Sequence, residues 1–266
     1  MAFEQVDDFL AESEALFEVL RGQDDEALEQ PTQFKGWTIE DVLRHLHFWN
    51  RAVDFAGQGE KAFSGLKKRV MTAFETGTSL REVERTVIPE RGAILRATWI
   101  GFARALAQRW EGMDPKQRLP WVGPDMSARS AITARQMETW AHGFEVFDTL
   151  GLMRAEHDRI RNIVVLGINT FGWSHQVQGL EVPEKMPFLR LEAPSGAVWE
   201  FGEAGAGEIS GPAADFAAVV TQTRAFEDTN LSTQGAVAEG WMRTAQCFAG
   251  PKETPPAKGA RGISAS

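Results

Sequence analysis

Between residues 3 and 175, apolar side chains recur every three to four positions, the spacing of helices that bury one face. Val6, Phe9, Leu10, Leu16, Phe17 and Leu20 fall on one stripe of a first helix, opposite a carboxylate-rich face. A polar stretch with Pro31 follows and reads as a connection. Thr38 then predicts an N-cap, with Asp41 three residues on as its capping-box partner. The helix that Thr38 opens carries Val42, Leu43, Leu46, Trp49 and Val53 and stops near Gly57 and Gly59. Lys61 to Glu75 predicts a shorter, more basic helix, broken at Gly77-Thr78-Ser79. Pro89-Glu90 suits the first turn of the next, which continues through Leu95, Phe102, Leu106 and Trp110 to Gly112.

A loop rich in Pro and Gly (Pro115, Pro120, Gly123, Pro124) precedes a helix capped by Ser127 or Ser130 and ending at Gly151. Arg154 to His175 reads as one further helix. Beyond Gly179 the period changes. Phe188 to Glu192 and Ala197 to Phe201 alternate as strands do, around a Pro194-Ser195-Gly196 turn, which predicts a hairpin. Glu208 to Ser210 is a candidate third strand, and two short helices follow, through Phe216 and Val220 and from Gly235 to Phe248. The expected fold is therefore mainly α. A helix bundle spans 1–178, a small α+β domain spans 188–250, and 251–266, rich in Pro, Gly, Ala, Lys and Ser, is expected to be disordered.

Composition narrows the function. The 266 residues carry a net charge of −9, which argues against nonspecific nucleic-acid binding, because a phosphate backbone needs a basic footprint. Lys67-Lys68-Arg69 is a short basic run that reads as a solvated helix face. One cysteine, Cys247, excludes a disulfide within the chain and fits a reducing, cytoplasmic compartment; beside Phe248 it reads as a small buried apolar residue. The N-terminal residues are acidic where a signal peptide would be basic, and no apolar run approaches the ~18 residues of a membrane span. With no tyrosine, tyrosine chemistry is excluded.

The candidate chemistry lies on two helices. Glu138 and His142 stand at i and i+4 and so share a face. That spacing alone fits an ordinary pair on a solvated face equally well. His45, on the helix opened by Thr38, follows the apolar set and should point inward; His47, two residues on, is turned by about 200°. Two imidazoles and a carboxylate are the ligand set of an open catalytic zinc site. Glu145 and Asp148 read as surface groups or as acceptors for the far N–H of a ligand histidine. His157 reads as solvated, His175 as near the domain boundary, and Trp37, Trp49, Trp99, Trp110 and Trp140 as core. Ser210-Gly211-Pro212 lacks the glycines and lysine of a phosphate loop.

The Gly36-Trp37-Thr38…His45-Leu46 block, followed by the Glu138-x-x-x-His142 helix, resembles the metal-binding four-helix bundle of the DinB-like superfamily. Within it the sequence is similar to the mycothiol-dependent maleylpyruvate isomerase group. The hairpin around Trp199 and Ser210-Gly211-Pro212-Ala213-Ala214-Asp215 resemble that group's small domain, related to sterol carrier proteins. The resemblance implies an up-down bundle with a divalent metal, usually zinc, held by His45, Glu138 and His142; such a donor set also accepts Ni2+ or Fe2+. It implies a mycothiol-type thiol as cosubstrate and a small electrophilic substrate, in transferase or isomerase chemistry. It makes Arg224 the candidate for the group's C-terminal catalytic arginine, with Arg243 as second. The expected partners are these small molecules, with no nucleic acid and no membrane; a homodimer is compatible. A metal-dependent hydrolase using metal-bound hydroxide, and a noncatalytic small-ligand-binding module, remain the competing readings.

Overall fold

A computed structural model describes residues 3–263. They form two compact units, divided between Val146 and Phe147, inside the last turns of one helix. The division falls well before the linker at 178–187, because the helical segment after residue 158 packs with the C-terminal elements.

The first unit is helical. Its elements are α1 (Glu4–Leu20), α2 (Asp25–Leu28), α3 (Ile39–Gly57), α4 (Glu60–Thr76), α5 (Leu80–Val87), α6 (Gly92–Trp110) and α7 (Ala128–Thr149). The capping box that opens α3 is present: Thr38 Oγ1 accepts from the Asp41 N–H at 3.1 Å, and Asp41 Oδ2 accepts from the Thr38 N–H at 3.4 Å. Gly77 ends α4 with a left-handed φ of 72°, which glycine adopts without a Cβ clash. Between α6 and α7 the loop folds as a two-stranded ribbon, β1 (Arg118–Leu119) with β2 (Met126–Ser127), where the sequence pattern gave no strand. Ser127 Oγ then accepts from the Ser130 N–H at 3.1 Å, so Ser127 is the serine that caps α7.

The apolar stripes meet as their period requires. α3 packs against α6, α6 against α1, and α4 and α5 against α3. Phe9, Leu16, Leu43, Leu46, Trp99, Leu106, Trp110 and Trp140 are buried between them. Removing one such Trp side chain costs about 3–5 kcal/mol, since it loses both transfer energy and packing.

The second unit is α+β. The single helix expected from Arg154 to His175 is instead a 3-10 turn, Asp158–Ile160, then α8 (Arg161–Asn169) and α9 (Phe171–Gln178). Apolar residues run through the break and hide it. Thr170 turns its hydroxyl back to the Leu166 carbonyl at 2.8 Å, which favours ending the helix there. The hairpin is β3 (Phe188–Glu192) with β4 (Val198–Phe201), antiparallel with Leu191 opposite Trp199. β5 (Glu208–Pro212) lies parallel to β3, and β6 (Ser232–Gln234) pairs antiparallel with β5, giving the order β4-β3-β5-β6.

Gly211 fits β5 because a Cβ there would lie 2.7 Å from the Asn230 carbonyl oxygen. α10 (Ala213–Val220) packs on β3, β5 and α8, and α11 (Ala236–Thr244) on α9 and β6. The core of this unit is Leu189, Leu191, Ile209, Phe216 and Trp241, with Trp241 edge-on to Phe171 and Phe216. Residues 251–263 carry no helix or strand, yet they are tied down: the Gly259 N–H donates to Asp228 and Arg261 to the Gln222 carbonyl, both at 2.7 Å. Residues 264–266 of the expected tail lie outside the described residues.

Candidate metal centre

His45 comes from the second turn of α3, and Glu138 and His142 come from one face of α7. Helical spacing stacks Glu138 beneath His142, so His142 Nε2 lies 3.3 Å from Glu138 Oε2. His45 Nε2 approaches the same oxygen at 3.5 Å. One donor atom from each of the three residues lies within 4.8 Å of the other two. Imidazole nitrogens and a carboxylate oxygen aimed at one point are what a divalent borderline cation requires, so the donor set fits a metal.

The surroundings are aromatic and largely closed to water. Trp37 stacks flat on His142, with centroids 5.7 Å apart at 4°, and Phe34 meets the same ring edge-on at 5.1 Å. Trp37 and Trp49 flank His45. Trp121 touches Trp49 and stacks on Phe63. Trp37 and Trp49, expected as core, are only half-buried and form the wall of the site, whereas Trp99, Trp110 and Trp140 are true core.

Charge is concentrated here. Arg135, one turn before Glu138 on α7, is buried and holds Nη2 3.8 Å from Glu138 Oε1, while its Nε and Nη1 make no hydrogen bond. Burial would raise the Glu138 carboxyl. Hydrogen bonds from His142 and His45 and the charge of Arg135 outweigh it and hold Glu138 well below the usual carboxylate range. Burial would likewise depress the His45 imidazolium, but Glu84 and Glu138 raise it to about 9. His142 goes the other way, because burial dominates and His45 adds repulsion.

Glu84 was not among the residues the sequence singled out. It sits on α5, 1% exposed, with Oε1 2.8 Å from His45 Nδ1. The nearby Ser79-Leu80-Arg81-Glu82 pattern, a second capping box that the structure contains, marks where α5 begins but does not single out Glu84.

The remaining candidates are placed elsewhere. His47 is buried edge-on to Phe102 at 5.3 Å, and burial together with Arg51 pushes it down to about 4. Glu145 and Asp148, expected at the surface or beside a ligand histidine, are each 1% exposed. Asp148 accepts from both terminal nitrogens of Arg224, at 2.7 and 2.8 Å, within the second unit. Arg243 pairs with Glu227 at the surface. His157 is exposed; His175 is buried, with Nδ1 2.9 Å from the Phe171 carbonyl. Cys247 is buried.

A helical unit with a half-buried His-Glu-His cluster, joined to a small α+β unit, defines the class, and comparison with known proteins gives the family. The family described as "Mycothiol maleylpyruvate isomerase N-terminal domain" matches residues 9–147, and the chain belongs to it. An uncharacterized protein of Mycobacterium tuberculosis, present in two strains, is 33% identical over 249 residues, covering 92% of this chain and 95% of the relative. In fold, the chain is similar to crystal structures of the mycothiol-dependent maleylpyruvate isomerase and of a histidine-to-alanine mutant of it. For each the TM-score is 0.54 at 15% identity, over 86% of this chain and 91% of that one. Among the described residues, no helix is long and apolar enough to cross a membrane.

Proposed function

We propose that the protein is a metal-dependent enzyme that brings a low-molecular-weight, mycothiol-type thiol to a small electrophilic substrate, in transferase or isomerase chemistry. The observation that carries this reading is the convergence of His45, Glu138 and His142 within 4.8 Å, in a chain whose family is named for a mycothiol-using isomerase. These three residues are the proposed metal ligands. A divalent cation there, zinc or by the same donor chemistry Ni2+ or Fe2+, would supply Lewis acidity that favours thiolate over thiol.

The chain's own residues supply the rest. Trp37, Phe34 and Trp49 keep water away from the cluster and offer apolar faces to a substrate. Glu84 and Glu138 carry two negative charges and Arg135 one positive charge, so with a divalent cation the cluster is left with one positive charge. A single thiolate neutralises it, which favours burying that anion there. The thiolate sulfur then attacks an electrophilic carbon, such as a conjugated double bond. The π pair of that bond moves onto the conjugated carbonyl; rotation about the resulting single bond and expulsion of the thiolate give an isomer, whereas return of the thiol's proton to the enolate gives a conjugate. The compartment we propose for this reaction is the cytoplasm, where thiols stay reduced.

A binding-only bundle would have no need of a carboxylate aimed at two imidazoles on an inner helix face. The test is consumption of free thiol by zinc-loaded protein given mycothiol and a panel of small electrophiles. Metal-dependent conjugation or isomerisation that requires the thiol supports the proposal. Turnover at equal rate without thiol would replace it with the hydrolase reading.

A further inference from the structure

We infer that Glu84 is the positioning residue of the metal centre: it fixes the tautomer and orientation of His45 and sets the charge of the cluster, which makes α5 part of the site. This rests on the metal reading above. A neutral imidazole has one N–H and one lone pair, and an ionised carboxylate only accepts. When His45 is neutral, as a metal ligand is, Glu84 Oε1 at 2.8 Å from Nδ1 keeps the one N–H on Nδ1. The lone pair then falls on Nε2, the nitrogen that faces Glu138 and His142.

An ordinary structural role for Glu84 is a poor account of its surroundings. A carboxylate 1% exposed is costly without a cationic partner, and its Oε2 has no hydrogen-bond partner. Two arginines share its helix, yet both turn to Asp41: Arg85 Nη2 at 2.9 Å and Arg81 Nη1 at 3.6 Å. Those contacts, with Arg44 Nε donating to the Ile88 carbonyl at 2.9 Å, fasten α5 to the helix that carries His45. Arg135 acts on Glu84 only through space, so the His45 imidazole is the group to which Glu84 is hydrogen-bonded. Carboxylates behind ligand histidines tune affinity by this route.

The experiment uses the full chain as wild type, Glu84→Ala and Glu84→Gln. Zn2+ affinity is measured by competition with a chromophoric chelator, the visible spectrum is recorded with Co2+, and the metal-free proteins are melted. Glu84→Ala is expected to bind Zn2+ about 10–100-fold more weakly and to shift the Co2+ spectrum. Glu84→Gln keeps an acceptor for Nδ1–H and is expected to fall between, with a melting temperature near wild type. That order separates positioning from folding, since a merely structural glutamate would move the melts and leave the spectrum alone. If Glu84→Ala does not fold, Glu84→Gln decides: a loss of about threefold or more supports the inference. Binding by either folded variant within about threefold of wild type, with an unchanged Co2+ spectrum, overturns the inference and leaves the metal reading standing. Wild-type protein that takes up no metal overturns both.

Discussion

Glu138 Oε2 lies 3.3 Å from His142 Nε2, one helical turn away on α7, so a single helix delivers two of the three candidate ligands in fixed register. Glu138→Gln keeps the shape and removes the charge. The expected result is a fall in Zn2+ affinity of more than about 100-fold, because even groups one step behind a ligand cost 10–100-fold. Isothermal titration against wild type checks it, and unchanged affinity would remove Glu138 from the ligand set.

Thr38→Ala removes the hydroxyl that accepts from the Asp41 N–H at the start of α3. The loss should be about 1 kcal/mol, lowering the melting temperature by about 2–4 °C, since one orphan donor at the helix start is left to water. Thr38→Ser should restore most of it. Thermal melts followed by circular dichroism decide.

Glu40 gives the pH dependence. Burial pushes its carboxyl up, but the Arg44 guanidinium and the Gly92 N–H, at 2.8 and 2.9 Å, win and hold it below its ordinary value of 4.5. A depressed carboxyl contributes stability that is complete above the unfolded value and is lost as pH falls through the lower, folded value. Glu40→Gln should therefore be less stable at pH 7 by about 1–3 kcal/mol, and the gap should close as pH falls below that of an ordinary carboxylate. Urea unfolding at several pH values measures the gap; a gap independent of pH would contradict this.

In the second unit, a Cβ on Gly167 would lie 2.9 Å from Val220 Cγ2, where α8 meets α10. The stiff valine has little room to yield, so Gly167→Ala is expected to cost about 1–3 kcal/mol. In a Val220→Ala background the same change should cost markedly less, because the obstructing methyl is gone. Equal penalties in the two backgrounds would show that this contact is not what excludes the methyl.

Much of this molecule is legible in its sequence where one physical rule acts alone. The 3.6-residue period places α1, α3, α6 and α7, and the Thr38 capping box fixes where α3 begins. The i, i+4 spacing puts Glu138 beneath His142, although spacing alone does not separate a metal ligand from a solvated pair. What the sequence hides are features set by other segments. Glu84 matters because α5 folds back on α3, which no local pattern in its eight residues announces. Asp148 is buried because Arg224, 76 positions away, receives it. Thr170 interrupts an apolar run that would otherwise read as one helix, and β6 is three polar residues recruited by β5.

Whether His45, Glu138 and His142 hold one cation together is decided by elemental analysis of protein purified without an affinity tag, for the wild type and for His45→Ala and His142→Ala. One divalent ion per chain in the wild type and a loss of most of it in both folded variants is the predicted result. Equal metal content in all three proteins, or none in any, would contradict it.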